Sequence, residues 1–263
     1  MQPQTDRNNG LSTPPRFEVS FANTRAEILE TLKLRYRIFA GEMGAQIDGG
    51  DEHIDTDEYD AHCRHLMVRE LESGRVIACT RILTDECAAA AGGFYSSSEF
   101  DLQMIDALPG RVMEIGRTCV DVEFRSGAVI GTLWQGIAGF ITREGYDYLF
   151  GCASIGLEDG GARAHAILDT IRQKYSAPAY QRVRPYVNLP TADARPTGPV
   201  RMPPLLKAYV NLGAKACGDA YWDTEFNCAD VFMLLNVSDL NPRYARHFLD
   251  RASLTPVVTS GLD

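Results

Sequence analysis

The 263-residue sequence contains no CxxC pair, no GxGxxG turn, no Walker-type phosphate loop and no GxSxG elbow. These absences remove paired-thiol zinc and redox sites, the common nucleotide cradles and the serine-hydrolase nucleophile turn. The nearest approach to the last is "GCASIG", where Cys152 stands in place of the first glycine. Basic charge is also scarce. Lys and Arg number 26 against 35 Asp and Glu, a formal net charge of -9, which argues against a protein that coats nucleic acid non-specifically. No apolar run approaches a membrane span, and "MQPQTDRNNGLSTPPRF" lacks the apolar core of a secretory leader. The seven cysteines (63, 79, 87, 119, 152, 217 and 228) sit mostly in apolar runs such as "VIACTRIL". They read as buried free thiols in a reducing compartment, so a cytoplasmic location is expected, with contact to a membrane surface still open.

What is present is an ordinary globular composition, 45% hydrophobic and 23% charged. Residues 1–16 are polar with a Pro-Pro pair and are expected to form a disordered tail ahead of a single domain over 17–263. "FEVSFA" alternates like a strand. In 23–45, apolar Leu29, Leu32, Tyr36, Phe39 and Met43 make one helical stripe, with Thr24 and Glu27 as a capping box and Gly44 as the stop. "HLMVREL" and "GRVIACTRILT" flank a Ser-Gly turn and predict a hairpin. Residues 85–111 read as irregular. "VMEIGRTCVD", "YDYLFGCAS" and "VFMLLNV" predict further strands; "VIGTLWQGIAGFITREG", "ARAHAILDTIRQKY" and "PPLLKAYVNLGA" predict helices. The expected fold class is a mixed α/β sheet of the α+β type.

Three features carry chemistry. Between Arg37 and Arg64 there is no Lys or Arg, yet acids occur at 42, 48, 51, 52, 55, 57, 58 and 60, predicting an acidic loop before a strand. The histidines and cysteine in it (His53, His62, Cys63, His65) lack tetrahedral ligand spacing, so no metal is expected. "FRSGAVIGTLW" joins a strand to a helix, and a Gly/Ala turn at such a helix N-terminus lets backbone N–H groups approach an anion. Glu114 and Arg117 lie three apart on a strand and fall on opposite faces unless a bulge intervenes.

In order along the chain, "LRYRIF…MG", "DEYDAHCRHLMV", "GRVIACTRIL" and "MEIGRTCVD" resemble the signature segments of the acyl-homoserine-lactone autoinducer synthases, which share the GNAT acyltransferase fold. The segments "GRTCVDVEFRSGAVIGTLWQGI", "YLFGCAS", "PPLLKAYVNLGA", "FNCADVFMLL" and "LNPRYARHF" more closely resemble the ornithine N-acyltransferases, which make lyso-ornithine lipid in bacteria. The autoinducer synthases carry a Trp shortly after the Phe, where this chain has Ala45. The resemblance spans roughly residues 17–250. It implies a GNAT-like mixed sheet splayed at its central strands, with helices on both faces. It also implies transfer of a (3-hydroxy)acyl chain from an acyl carrier protein thioester to the α-amine of ornithine, with no tightly bound cofactor.

Carried over by position, the resemblance implies substrate contacts at Arg35, Phe39, Asp57, Asp60, Arg81 and Arg117. Asp57 and Asp60 would meet the ornithine cations, and Arg81 or Arg117 its carboxylate. Glu114 is the implied base and Tyr209 the donor to the leaving thiolate, while Arg125, Gly127 and Ala128 would meet the pantetheine arm. From Arg163 to Lys207, eight Lys/Arg less two Asp give +6, so Arg182 and Arg184 suit docking of an acidic carrier protein or an anionic lipid surface. Two alternatives stay open: a lactone-forming or other long-chain N-acyl amino acid synthase, and a non-catalytic carrier-protein or lipid-binding module.

Overall fold

Residues 15–192 and 196–241 are described by a computed structural model. The strands are β1 (Phe17–Phe21), β2 (Arg64–Glu70), β3 (Val76–Thr84), β4 (Phe100–Asp101), β5 (Val112–Val120), β6 (Tyr148–Gly156), β7 (Arg184–Pro185), β8 (Lys215–Ala216), β9 (Tyr221–Asp223) and β10 (Cys228–Asn236). The helices are α1 (Arg25–Tyr36), α2 (Asp85–Ala91), α3 (Gln103–Asp106), α4 (Gly127–Glu144), α5 (Ala162–Lys174) and α6 (Pro204–Leu212). One eight-stranded sheet runs β1-β2-β3-β5-β6-β10-β8 with β9 also on β10, and β4 and β7 form a separate ribbon. Every pairing in the large sheet is antiparallel except β5 with β6.

Helices cover both faces of this sheet. On one face, Val129, Leu133, Trp134, Ile137, Phe140 and Ile141 of α4 join Leu66, Ile77, Leu149 and residues of α5 and α6 in the largest core. Burying each large apolar side chain contributes about 1.5–3 kcal/mol, so this stripe fixes α4 to the sheet. On the other face, Leu34, Ile38 and Phe39 pack on Met67, Cys79 and Cys119. Because it is covered on both sides, β3 is buried at every residue, which explains its unbroken apolar run. Among the described residues, no helix is long and apolar enough to cross a membrane.

The predicted hairpin is β2–β3, with Gly74 at φ +68 in its turn. The capping box on α1 is also present: Thr24 Oγ1 accepts from Glu27 N, and Glu27 Oε2 accepts from Thr24 N. The helix does not run unbroken to Gly44, however. From Arg37 to Glu42 it widens into a π-turn, which shifts its phase, so that Ile38 and Phe39 are buried and Met43 is 44% exposed. The segment 85–111 is more ordered than its composition indicates. Thr84 caps α2, Gly92 closes it at φ +89, and a 3-10 turn follows at Tyr95–Ser98. Arg16, expected in the tail, binds Glu70 at 2.8 Å and belongs to the fold. Residues 1–14 and most of "LNPRYARHF" lie outside the described residues.

β5 and β6 are nine residues each, but they pair only from Val112↔Tyr148 to Glu114↔Phe150. Beyond that point they part, while β6 keeps its full pairing to β10. The splay therefore falls at the central strands of the sheet, where the resemblance implies it.

Candidate active site

The opening between β5 and β6 leads into a partly open cavity of about 90 Å³. A bulge aims β5 into it. Opposite Cys79–Arg81 of β3, β5 has one residue too many between Cys119 and Gly116, and Arg117 takes a left-handed conformation at φ +50. The extra residue brings Glu114 and Arg117, which strict alternation would separate, to line the same cavity with Phe39 and Arg81. Gly151 on β6 is required at the opening: a Cβ there would collide with the Ile115 carbonyl and stand 2.9 Å from the Tyr209 hydroxyl.

Glu114 is 4% exposed. Its carboxylate accepts from Tyr95 N (2.8 Å), Ser96 N (3.0 Å) and Ser96 Oγ (2.5 Å), which pins the 3-10 turn over the cavity. Burial raises its pKa above the ordinary carboxylate value, against the pull of those donors. The turn holds Tyr95 between two cations. Arg81 lies 5.2 Å and Arg117 5.1 Å from its ring centre, and its hydroxyl accepts from Arg117 at 3.3 Å. Tyr209 is buried with its hydroxyl beside Gly151 at the opening and its ring edge-on to Trp134 at 5.3 Å, and burial raises its pKa well above the phenol value, so it keeps its proton.

The acidic loop corrects the expectation of free carboxylates. Asp57 caps a 3-10 turn at Glu58–Ala61, and Asp60 completes the capping box. Arg35, 1% exposed, donates to Asp55 (2.7 Å) and to both oxygens of Asp60 (2.6 and 3.1 Å). Arg81 donates to Asp57 (2.5 Å) and Asp60 (3.2 Å). Arg117 Nε lies 3.2 Å from Asp55 Oδ2 as an ion pair without hydrogen-bond alignment, and its Nη2 is 3.5 Å from Asp57. The three arginines therefore hold the carboxylates of Asp55, Asp57 and Asp60, and although burial pushes the Asp60 pKa up, Arg35 and then Arg81 drive it far below the carboxylate range. Asp57, Asp60 and Arg35 stand behind the cavity and position Arg81 and Arg117; the oxygens expected to meet ornithine are engaged. Asp55 has no distinguishing signal among eight acids in sequence.

The remaining sequence-selected residues lie apart from the cavity lining. Gly127 and Ala128 begin α4, where Ser126 provides no side-chain cap, leaving the exposed helix N-terminus to an anion. Arg125 beside it donates to the Val120 carbonyl and pairs with Glu42. Arg182 and Arg184 are exposed around β7, and Arg184 makes only a 3.9 Å approach to Asp101. His53, His62, Cys63 and His65 form no ligand group among the described residues.

Three cavity carboxylates went unrecognised in the sequence: Glu99, Asp223 and Asp230, which are at most 9% exposed. Asp230 had a legible signal, a lone acid inside the apolar strand "CADVFMLL". Asp223, Cys228 and Asp230 place their ligand atoms within 4.8 Å of one another. The Cys228 thiol donates to Asp230 (3.8 Å), and burial raises its pKa, so the thiol keeps its proton.

A splayed sheet, a bulged central strand and a capless helix N-terminus after it define an acyltransferase of the GNAT class, and residues 34–135 match the acetyltransferase (GNAT) domain family. FeeM, an N-acyl amino acid synthase from uncultured soil microbes, has a similar fold, with a TM-score of 0.52 at 12% identity over 86% of this chain and 94% of FeeM. The L-ornithine N(alpha)-acyltransferase of Brucella abortus (strain 2308) is 34% identical over 88% of each chain. The enzyme of the same name from Rhizobium meliloti (strain 1021) is 32% identical over 88% of this chain and 84% of its own. This chain belongs to the L-ornithine N(alpha)-acyltransferase family.

Proposed function

We propose that this enzyme transfers a (3-hydroxy)acyl group from an acyl carrier protein thioester to the α-amine of L-ornithine, giving lyso-ornithine lipid without a tightly bound cofactor. The observation that carries this reading is the cavity at the β5–β6 splay, where a buried carboxylate and two arginines face one space. The thioester enters between the parted strands, and a carrier phosphate rests at the α4 N-terminus beside Arg125, Gly127 and Ala128. Arg117, with Arg81 behind it, receives the amino-acid carboxylate. The α-amine must lose its proton to attack, and Glu114, directly or through water, takes it. As the C–N bond forms and the C–S bond breaks, Tyr209 gives its proton to the departing sulfur, the nitrogen sheds its second proton, which passes through water to restore Tyr209, and Glu114 releases the first to solvent. The products are an amide and a free thiol.

Purified protein given acyl carrier thioester and ornithine is expected to release thiol and form N-acyl-ornithine, read by thiol titration and mass spectrometry. Thiol release with S-adenosylmethionine and none with ornithine would instead establish a lactone-forming synthase.

The carrier docks on the exposed stretch of Tyr180, Arg182, Arg184 and Tyr186, with Val183 and Pro185 turned inward. This face also suits the anionic cytoplasmic leaflet. Reversing both charges (Arg182→Glu with Arg184→Glu) is expected to raise KM for the acyl carrier by about tenfold or more and leave KM for ornithine in place. Added salt should weaken the wild-type reaction, because exposed charges are screened over roughly 8 Å at physiological ionic strength. An unchanged carrier KM in the variant places docking elsewhere.

A further inference from the structure

The two sides of the cavity differ in charge balance. Arg81 and Arg117 are matched by Asp55, Asp57 and Asp60. Glu99, Asp223 and Asp230 on the other side have no ion pair with any Lys, Arg or His among the described residues. Asp223 Oδ1 accepts from Glu225 N (2.8 Å) and Phe226 N (3.0 Å), and Asp230 Oδ1 accepts from Ser154 Oγ (2.6 Å). Each has its second oxygen left over. Glu99 is the least satisfied: it is 4% exposed, and its one donor among the described residues is the Cys152 thiol at 3.5 Å. The leftover oxygens are not sealed in the protein but face the cavity, so their partners must come from water or from a ligand bound there.

We propose that Glu99, Asp223 and Asp230 form the subsite that reads the side-chain ammonium of the amino-acid acceptor. This rests on the ornithine reading above. An ammonium offers three donors, and three carboxylates present free oxygens to receive them. The subsite joins the reacting end of the cavity through one chain of contacts: Glu114 to Ser96 Oγ (2.5 Å), Ser96 Oγ to Cys152 Sγ (3.5 Å), and Cys152 Sγ to Glu99 (3.5 Å). An acceptor with its α-amine at Glu114 can therefore lay its methylenes past Ser96 and Cys152 and end among the acids. Burial, then repulsion by Asp230 and Asp223, pushes the Glu99 pKa up to about 9, so the empty subsite holds Glu99 protonated at neutrality and an arriving ammonium displaces that proton to leave the carboxylate that pairs with it.

The test compares ornithine with norvaline, which has the same carbon skeleton without the terminal amine. Wild type is expected to prefer ornithine by about 10²-fold or more in kcat/KM, because a site built to pair a polar group rejects the analogue lacking it. Glu99→Gln and Asp230→Asn, each checked by melting, should collapse that ratio towards one, chiefly through KM for ornithine. Damage to the fold lowers both acceptors together and leaves the ratio intact; a ratio preserved in both folded variants overturns the subsite. If wild type acylates norvaline as well as ornithine, the subsite is also overturned, while the ornithine reaction stands. If wild type acylates neither, the ornithine reading falls and the subsite with it. Loss of activity with a chelator, restored by zinc or calcium, would assign Asp223, Cys228 and Asp230 to a metal instead.

Discussion

Glu114→Gln is expected to lower kcat by about 10²–10⁴-fold, or roughly 3–5 kcal/mol of barrier, with acyl-carrier binding preserved. A peptide α-amine has a pKa of about 7.7–8.0 and is largely protonated near neutrality, so an acceptor amine needs help to become a nucleophile. Burial raises the Glu114 pKa, so its carboxylate is a stronger base than an exposed one. The same substitution also has a structural cost. The carboxylate receives three donors from Tyr95 and Ser96, and an amide replaces one acceptor oxygen with an NH2 that opposes a backbone N–H. An unmet buried group costs about 1–3 kcal/mol, and at about 2–4 °C per kcal/mol the melting temperature should fall by several degrees.

High pH separates the two effects. A missing base becomes unnecessary once the amine deprotonates unaided, so the variant's rate should climb with pH past the point where the wild-type rate levels. In the wild type, activity is lost as pH falls through the raised pKa, because the protonated acid accepts nothing. A variant that melts early and gains nothing from alkali would show that Glu114 only braces the turn over the cavity.

Much of the fold was legible because its elements are locally consistent. Thr24 and Glu27 cap the first helix as their spacing demands, and the apolar runs of β3 and β10 mark strands covered on both faces. What failed depended on distant partners. The π-turn at 37–42 buries Ile38 beside Phe39 and turns Met43 outward, a change of phase that no periodicity encodes, and an Ala-rich stretch became α2 with Thr84 as its cap. In the site, Glu114 and Arg117 required a bulge to share a cavity, and the bulge is there. Asp55 is indistinguishable from its acidic neighbours as sequence; only the fold shows that it converges with Asp57 and Asp60 on Arg35, Arg81 and Arg117. Asp223 and Asp230 meet through the pairing of β9 with β10, and Glu99 reaches them from the residue before β4 by its contact with Cys152 on β6.

Asp60→Asn is expected to destabilise the protein by about 3–5 kcal/mol at neutral pH, the cost of breaking a buried ion pair from one side. Arg35 is 1% exposed and gives Asp60 two hydrogen bonds, with Arg81 adding a third. An asparagine keeps one acceptor and turns an NH2 towards a guanidinium, leaving buried positive charge unbalanced. The melting temperature should drop on the order of 10 °C, and activity should fall as Arg81 loses its position at the cavity wall. The pH dependence identifies the cause. The Asp60 pKa is depressed in the folded state, so its contribution is complete above the unfolded value of about 3.9 and is lost as pH falls from there towards the folded value. The gap between wild type and variant should therefore be constant from neutrality down to about pH 4–5 and narrow in stronger acid. A variant that melts like the wild type yet cannot acylate ornithine would instead mean that Asp60 touches substrate, and that the network seen around it yields when the acceptor binds.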